Sequence, residues 1–364
     1  MLVAVIGGEI LSKAGSYAAV TLAARATAVL TAGALSVTAL AGCSSDAKPK
    51  AVVKASTSAP TTVAPTKRPV VPKPRPIHPL TGVGRPPTGP VVAVKIDDTA
   101  AGRPSLGLEK ADVIYVEEVE GGLTRMVGIF AGSKPKVMAV RSVRPSDPEL
   151  LAQYGRIILV ASGGAGASLA ALDGSILHGV IGDRGQVGFF RDQSRPAPYN
   201  MVSDLSQVSR AIKASGVRNV GFSWSARDPR LARAPSAGAV NTQVGGTRVS
   251  FVWYPKQHRY IRTIDGQRVV TASGAAVAKP NVLVQFCQVR VDYSDVDVNR
   301  NPSMYTESVG SGRVVLFRGG KKIEGRWSRP KLWGPTVFKD LKGKPLLLAP
   351  GGTFVALARP GASV

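Results

Sequence analysis

The sequence predicts an α+β protein: a mixed-sheet N-terminal domain with flanking helices, followed by a smaller, mostly antiparallel β domain. Three observations predict it. Residues 113–145 read as three short β-branched strands joined by glycine-bearing turns. Residues 145–215 mix short apolar runs with segments of helical spacing. From residue 247 onward the texture is strand and turn throughout. A chain of 364 residues is enough for about two domains of roughly 150 residues each. Its 44% hydrophobic content is that of a globular protein, and 27 prolines and 40 glycines imply many turns and a linker.

The N-terminus reads as an address. Residues 26–40 form an apolar run behind Arg25, too short for a membrane span, which needs about 20 residues. The run ends in Leu40-Ala41-Gly42-Cys43, a lipobox whose cysteine is acylated and becomes the mature N-terminus. Residues 1–42 are therefore expected to be a lipoprotein signal peptide, with lipidation at Cys43. Residues 1–19 make that presequence unusually long, and a translation start near Val20 is expected. Residues 43–76 hold the lipidated cysteine and a disordered tether rich in proline, lysine and Ser/Thr, with no periodic apolar face. Extended, it reaches at most about 100 Å at roughly 3.1 Å per residue.

The folded part is expected as residues 77–235 and 236–364. Residues 90–97 are a strand ending in Asp97 and Asp98, and residues 103–111 a turn with one or two helical turns. Three strands follow, at 113–116, 124–130 and 137–140. Residues 145–154 begin a helix with Ser146 as N-cap and Pro148 in its first turn. Residues 156–161 form a buried strand, and SGGAGAS at 162–168 leads into a helix. That loop has neither the P-loop lysine nor the full GxGxxG spacing, so it reads as a tight strand–helix turn. Residues 203–215 have amphipathic helical spacing, and residues 219–241 read as an interdomain crossing. Residues 282–291 look like one long central strand, and residues 313–317 and 322–327 flank Gly319-Gly320 as a hairpin.

Charged residues gather at two places. The strand ends carry Glu117, Glu118, Glu120, Arg125, Arg141 and Arg144; the segment 188–200 carries Arg191, Asp192, Arg195, Tyr199 and Asn200, stiffened by Pro196 and Pro198. Arginines on a rigid loop suit recognition of carboxylate or phosphate, and the same residues equally suit a structural ion-pair network. Cys287 lies in an apolar strand-like run and reads as a buried core thiol. His78, His178 and His258 stand far apart without metal-ligand spacing, so neither a metal nor a cofactor is expected.

Several longer motifs occur in order: PLTG at 79–82, EGGLTR at 120–125, VRSVRP at 140–145, RDQSRPAPYN at 191–200, NVLVQF at 281–286 and LAPGGTFV at 348–355. On these, the chain from about 79 to 358 resembles the YerB-like lipoproteins, a family with an N- and a C-terminal half. The resemblance implies an exported, lipid-anchored protein of the bacterial envelope and no established reaction. Members often carry a histidine where this chain has Tyr199, a departure that weakens any histidine-based scheme at that loop.

A formal net charge of +24 favours polyanionic partners, and nearly all of the surplus survives removal of residues 1–42. Two functions follow. In the first, a membrane-anchored binding or scaffold module uses Arg141, Arg144, Arg191, Arg195 and Asn200 for an anionic wall polymer or peptidoglycan fragment, or meets an envelope protein. In the alternative, an envelope hydrolase or transferase uses Glu117 or Glu120, with Asp97 nearby, as acid or base while Arg141 and Arg191 steady negative charge. Nucleic-acid binding rests on charge alone and is set aside. Geometry separates the first two: carboxylates open to a cleft favour chemistry, and carboxylates paired with arginines oppose it.

Overall fold

The computed structural model describes residues 76–364; the expected signal peptide, Cys43 and nearly all of the tether lie outside the described residues. In chain order come strands β1 (Val92–Asp97), β2 (Val113–Glu118), β3 (Thr124–Phe130) and β4 (Lys136–Met138), then helix α1 (Asp147–Leu151). Strand β5 (Ile158–Ala161), helix α2 (Gly166–Asp173), strands β6 (His178–Ile181), β7 (Phe189–Arg191) and β8 (Met201–Asp204) and helix α3 (Leu205–Ala211) follow. The second half holds β9 (Ser223–Trp224), β10 (Ala239–Val244), β11 (Thr247–Tyr254), β12 (Arg259–Ile264), β13 (Gln267–Arg268), β14 (Ala278–Lys279) and β15 (Asn281–Phe286). It ends with β16 (Val289–Val296), β17 (Pro302–Thr306), β18 (Gly310–Arg318), β19 (Lys321–Arg329), β20 (Val337–Asp340), β21 (Leu347–Leu348) and β22 (Thr353–Ala358).

Ten of these strands make one mixed sheet in the order β20-β19-β18-β15-β22-β2-β3-β1-β5-β6. The last strand of the chain, β22, lies parallel to β2 on one side and to β15 on the other, so strands from both halves share a single hydrogen-bonded layer. Alternation gives the sheet two apolar faces. On one, Val92, Val94, Ile114, Val116, Val284 and Phe317 pack against Val240, Val249, Phe251 and Tyr260 of a second sheet built from β10 to β14. On the other, Ala93, Tyr115, Val127, Ile129, Leu316 and Trp327 pack under α1, α2 and the segments around Val220 and Leu346. Both layers are made by residues 80–364, so this segment carries its own core.

This corrects the α+β expectation. The protein is mostly β, and among the described residues its α-helices number three, of five, eight and seven residues. The helical spacing at 145–154 yields α1 and then a single 3-10 turn ending at Gly155. The helix expected at 203–215 shortens to α3, because its first residues pair as strand β8 and Asp204 takes the cap, accepting from the backbone N–H groups of Ser206 and Gln207. What covers the main sheet on one side is another sheet. The run 282–291 also splits: β15 ends at Phe286 opposite Ala358, and the chain leaves the layer to form the separate hairpin β16–β17.

The turns behave as their residues require. Gly319-Gly320 joins β18 to β19 with both φ positive (59° and 70°), the two-residue hairpin geometry that suits strand twist. Gly121-Gly122 turns β2 into β3, also at positive φ, and brings the strand-end charges together.

Candidate functional site

The register of β1, β2 and β3 builds the site. Asp97 of β1 and Glu117 of β2 both lie opposite Arg125 of β3, so the three side chains share one face at one end of the sheet. On that face Lys95 lies level with apolar Tyr115 and Val127, and the next row is wholly charged, with Asp97, Arg125 and Glu117 side by side. The opposite face ends in a second network: Asp98 accepts from Arg262 of β12 at 2.6 Å and from Thr124 at 2.7 Å, and Glu118 takes a bidentate pair from Arg359 at 2.7 Å. That second network ties the two sheets at their rim.

Lys95 is fully buried. Its ammonium donates to Asp147 Oδ1 at 2.7 Å and touches Glu117, and Asp147 Oδ2 accepts the Arg144 N–H at 2.6 Å. Burial pushes Lys95 down to about 8 against the pull of Asp147, and the positive charges of Arg125 and Arg144 add to the lowering. One step outward, Arg141 donates to Asp97 at 2.5 Å, and Asp97 also accepts from the backbone and hydroxyl of Thr99. Arg144 pairs with Glu120, and the Ser303 hydroxyl lies 3.2 Å from the same carboxylate. The Arg141 guanidinium stacks over the Tyr199 ring at 5.1 Å.

These groups surround a cleft of about 220 Å³ lined by Asp97, Glu120, Arg125, Arg141 and Tyr199 on one side and by Asp297, Asn299 and Asn301 on the other. The last three belong to the tip of the β16–β17 hairpin. Asp297 folds that tip by accepting from the backbone of Asn299 and Asn301. Just below the tip the hairpin is held by Asp295, which accepts from the Ser168 backbone at 2.8 Å, from the Ser168 hydroxyl at 2.6 Å and from Ser303 at 2.7 Å. The first turn of α2, which follows the glycine-rich loop, therefore receives a carboxylate of the same chain.

Arg125 differs from its neighbours. It is 8% exposed, and its one hydrogen bond among the described residues goes to the Ser142 carbonyl at 3.2 Å. No carboxylate of the described residues lies within salt-bridge distance of it, although Asp97, Glu117 and Glu120 are near. Burial, then the neighbouring Arg144, push it down to about 9, still charged near neutrality. Sequence reasoning placed Arg125 in the cluster without singling it out; its register opposite two strand-end carboxylates was the available signal.

The second predicted cluster stays outside this cleft except for Tyr199. Arg191 donates to Asn200 Oδ1 at 2.8 Å, and Asn200 Nδ2 donates to the Arg195 carbonyl at 3.1 Å, closing the loop between β7 and β8 on itself. Cys287 is buried and its thiol is pushed up to about 12 by that burial, as expected of a core residue. Among the described residues no cluster of His, Cys, Asp or Glu could hold a metal ion.

Comparison with known proteins adds the family. Residues 80–218 match the N-terminal domain, and residues 239–355 the C-terminal domain, of the family described as "Protein of unknown function (DUF3048)". The chain belongs to this family. A relative in Bacillus subtilis (strain 168), named "Putative lipoprotein YerB", is 27% identical over 277 residues, covering 72% of this chain and 80% of that protein. The crystal structure of YerB from Bacillus subtilis superposes with a TM-score of 0.65 at 22% identity, over 80% of this chain and 99% of that one, and so shows the same fold in both.

Proposed function

We propose that the protein is a lipid-anchored extracytoplasmic binding module whose cleft takes the carboxylate or phosphate of a small envelope fragment. The observation that carries the reading is Arg125: a buried guanidinium lining a cleft, held by one carbonyl, with donors left for an anion. Arg141, stacked on Tyr199 at the same wall, would meet the ligand second. The amides of Asn299 and Asn301 across the cleft suit a ligand whose anion is flanked by peptide or hydroxyl groups, such as a wall peptide. At about 220 Å³ the space suits one such group and its neighbours, below the roughly 300 Å³ at which drug-sized pockets begin. The Leu40–Cys43 lipobox and the name carried by the Bacillus relative support the anchorage.

The hydrolase alternative loses support from the same geometry. Glu117 faces Lys95, Glu120 faces Arg144 and Asp97 faces Arg141. Each of these carboxylates is engaged by a cation of its own chain, the arrangement that opposes chemistry at the cleft. The test is a thermal-shift panel on residues 76–364 with muropeptides, teichoic-type phosphates and sugar acids, run beside Arg125→Gln. Saturable stabilisation by one class, absent in the variant, is the expected result. Equal stabilisation of both proteins would remove Arg125 from the site.

A further inference from the structure

The edge strand β20 and the loops at its two ends form a strip unlike the rest of the surface. Val337 and Lys339 point outward from β20, alternating with buried Phe338 and Asp340. Lys339 lies directly opposite exposed Arg326 of β19, two like charges in cross-strand register, a destabilising arrangement unless an anion covers it. The loop before β20 exposes Lys331, Leu332 (38%) and Trp333 (50%). The turn after it exposes Leu341 (70%), Lys342 and Lys344. Beside that turn lies a groove of about 740 Å³, lined largely by Pro229, Ala232, Pro235, Ile323 and Leu341 with lysines at its margin.

No carboxylate answers these cations. The two acids nearest the strip are already engaged: Glu324 takes a bidentate pair from Arg313 at 2.9 and 3.0 Å, and Asp340 accepts from Arg230 at 2.5 Å. Among the described residues none of Arg326, Lys331, Lys339, Lys342 and Lys344 has a salt-bridge partner. Five exposed cations and four exposed large apolar side chains thus occupy residues 326–344.

We propose that this strip is a docking surface for an anionic lipid bilayer. Charge alone would fit any polyanion. The interleaved Leu332, Trp333, Val337 and Leu341 are what a soluble polymer does not need and a headgroup layer does: leucine and tryptophan enter the interface while lysines meet the phosphates. None of these residues lines the cleft, so the inference is independent of the ligand reading. In the sheet, β20 stands five places from β2. At the usual strand spacing this holds the cleft on the order of 25 Å from the docked edge. A molecule docked this way keeps its lipid contact and its ligand site apart.

The test uses residues 76–364, which carry neither Cys43 nor the basic tether. Co-sedimentation is measured with phosphatidylcholine vesicles, with vesicles of equal parts phosphatidylcholine and phosphatidylglycerol, and with soluble polyphosphate as competitor. Two surface variants are compared: Lys339→Glu/Lys342→Glu/Lys344→Glu and Trp333→Ser/Leu341→Ser. The expected result is binding to anionic vesicles alone, weakened more than about tenfold in each variant with unchanged melting temperature. Binding that survives the apolar variant and is displaced by polyphosphate would overturn the proposal in favour of a wall polymer. Absence of vesicle binding, or equal binding to neutral vesicles, would also overturn it.

Discussion

Lys95 sits where the sheet turns from apolar to ionic, and it shows how much the pairing matters. Replacing it by methionine would leave Glu117 and Asp147 buried without their cation, which costs about 3–5 kcal/mol, to be read by chemical denaturation. The pH dependence follows from its lowered value. Below about pH 8 both folded and unfolded chains hold the proton. Between about 8 and the ordinary lysine value of 10.5 the unfolded chain holds more, so this group's contribution to stability rises with pH, by at most about 1.4 kcal/mol per pH unit. Lys134 and Lys279, also lowered to about 8 by burial, act in the same direction, and Cys287 acts against them from about pH 9. The unfolding free energy should therefore rise from pH 8 to 9 in the parent and rise less in Lys95→Met. Equal slopes would contradict the assignment. At this scale the sequence made the gathering of Glu117, Glu120, Arg125, Arg141 and Arg144 legible, because strand ends joined by tight turns must lie together; Glu118, read into the same cluster, turns to the opposite face and pairs with Arg359. It could not say who pairs with whom, since that depends on side-chain direction along each strand.

The hairpin β16–β17 is tied to the rest of the chain by carboxylates, and Asp295 is the one beside its tip. Asp295 accepts three hydrogen bonds, from two serines, and the tip it supports closes the cleft. Asp295→Ala should destabilise the protein by about 2–3 kcal/mol and weaken ligand stabilisation further than the lowered melting point explains. A variant equally destabilised at Asn281 in β15, whose amide donates to the Ala349 and Gly352 carbonyls away from the hairpin, provides the comparison. Unchanged affinity in Asp295→Ala would exclude the tip from the site. Strand β3 has the bounds its alternation predicts, and the Gly319-Gly320 hairpin forms as its residues demand. The run 282–291 misled because Cys287 and Gln288 are as strand-like as their neighbours. What ends β15 is its partner, since β22 finishes opposite Phe286.

The whole molecule is organised by a pairing no local pattern reveals. β22 inserts between β2 and β15, and a strand buried on both faces carries the same apolar texture whichever neighbours it takes. That is why the two halves read as separate sheets in sequence and join into one layer in space. A chain of residues 77–235 would lack β22 and the second sheet, leaving β2 with an open edge and one apolar face uncovered. It should aggregate or fail to melt cooperatively in calorimetry; a soluble, sharply melting fragment would contradict the shared layer as a folding unit. The same arrangement makes the cleft a product of both halves, with Arg125 from one and Asn299 and Asn301 from the other. The most direct test of that site is a calorimetric titration of residues 76–364 with a muropeptide and with the same peptide amidated at its carboxylates. The account predicts saturable one-to-one binding that is lost on amidation and lost in Arg125→Gln. Equal heats for the amidated peptide, or for the variant, would contradict it.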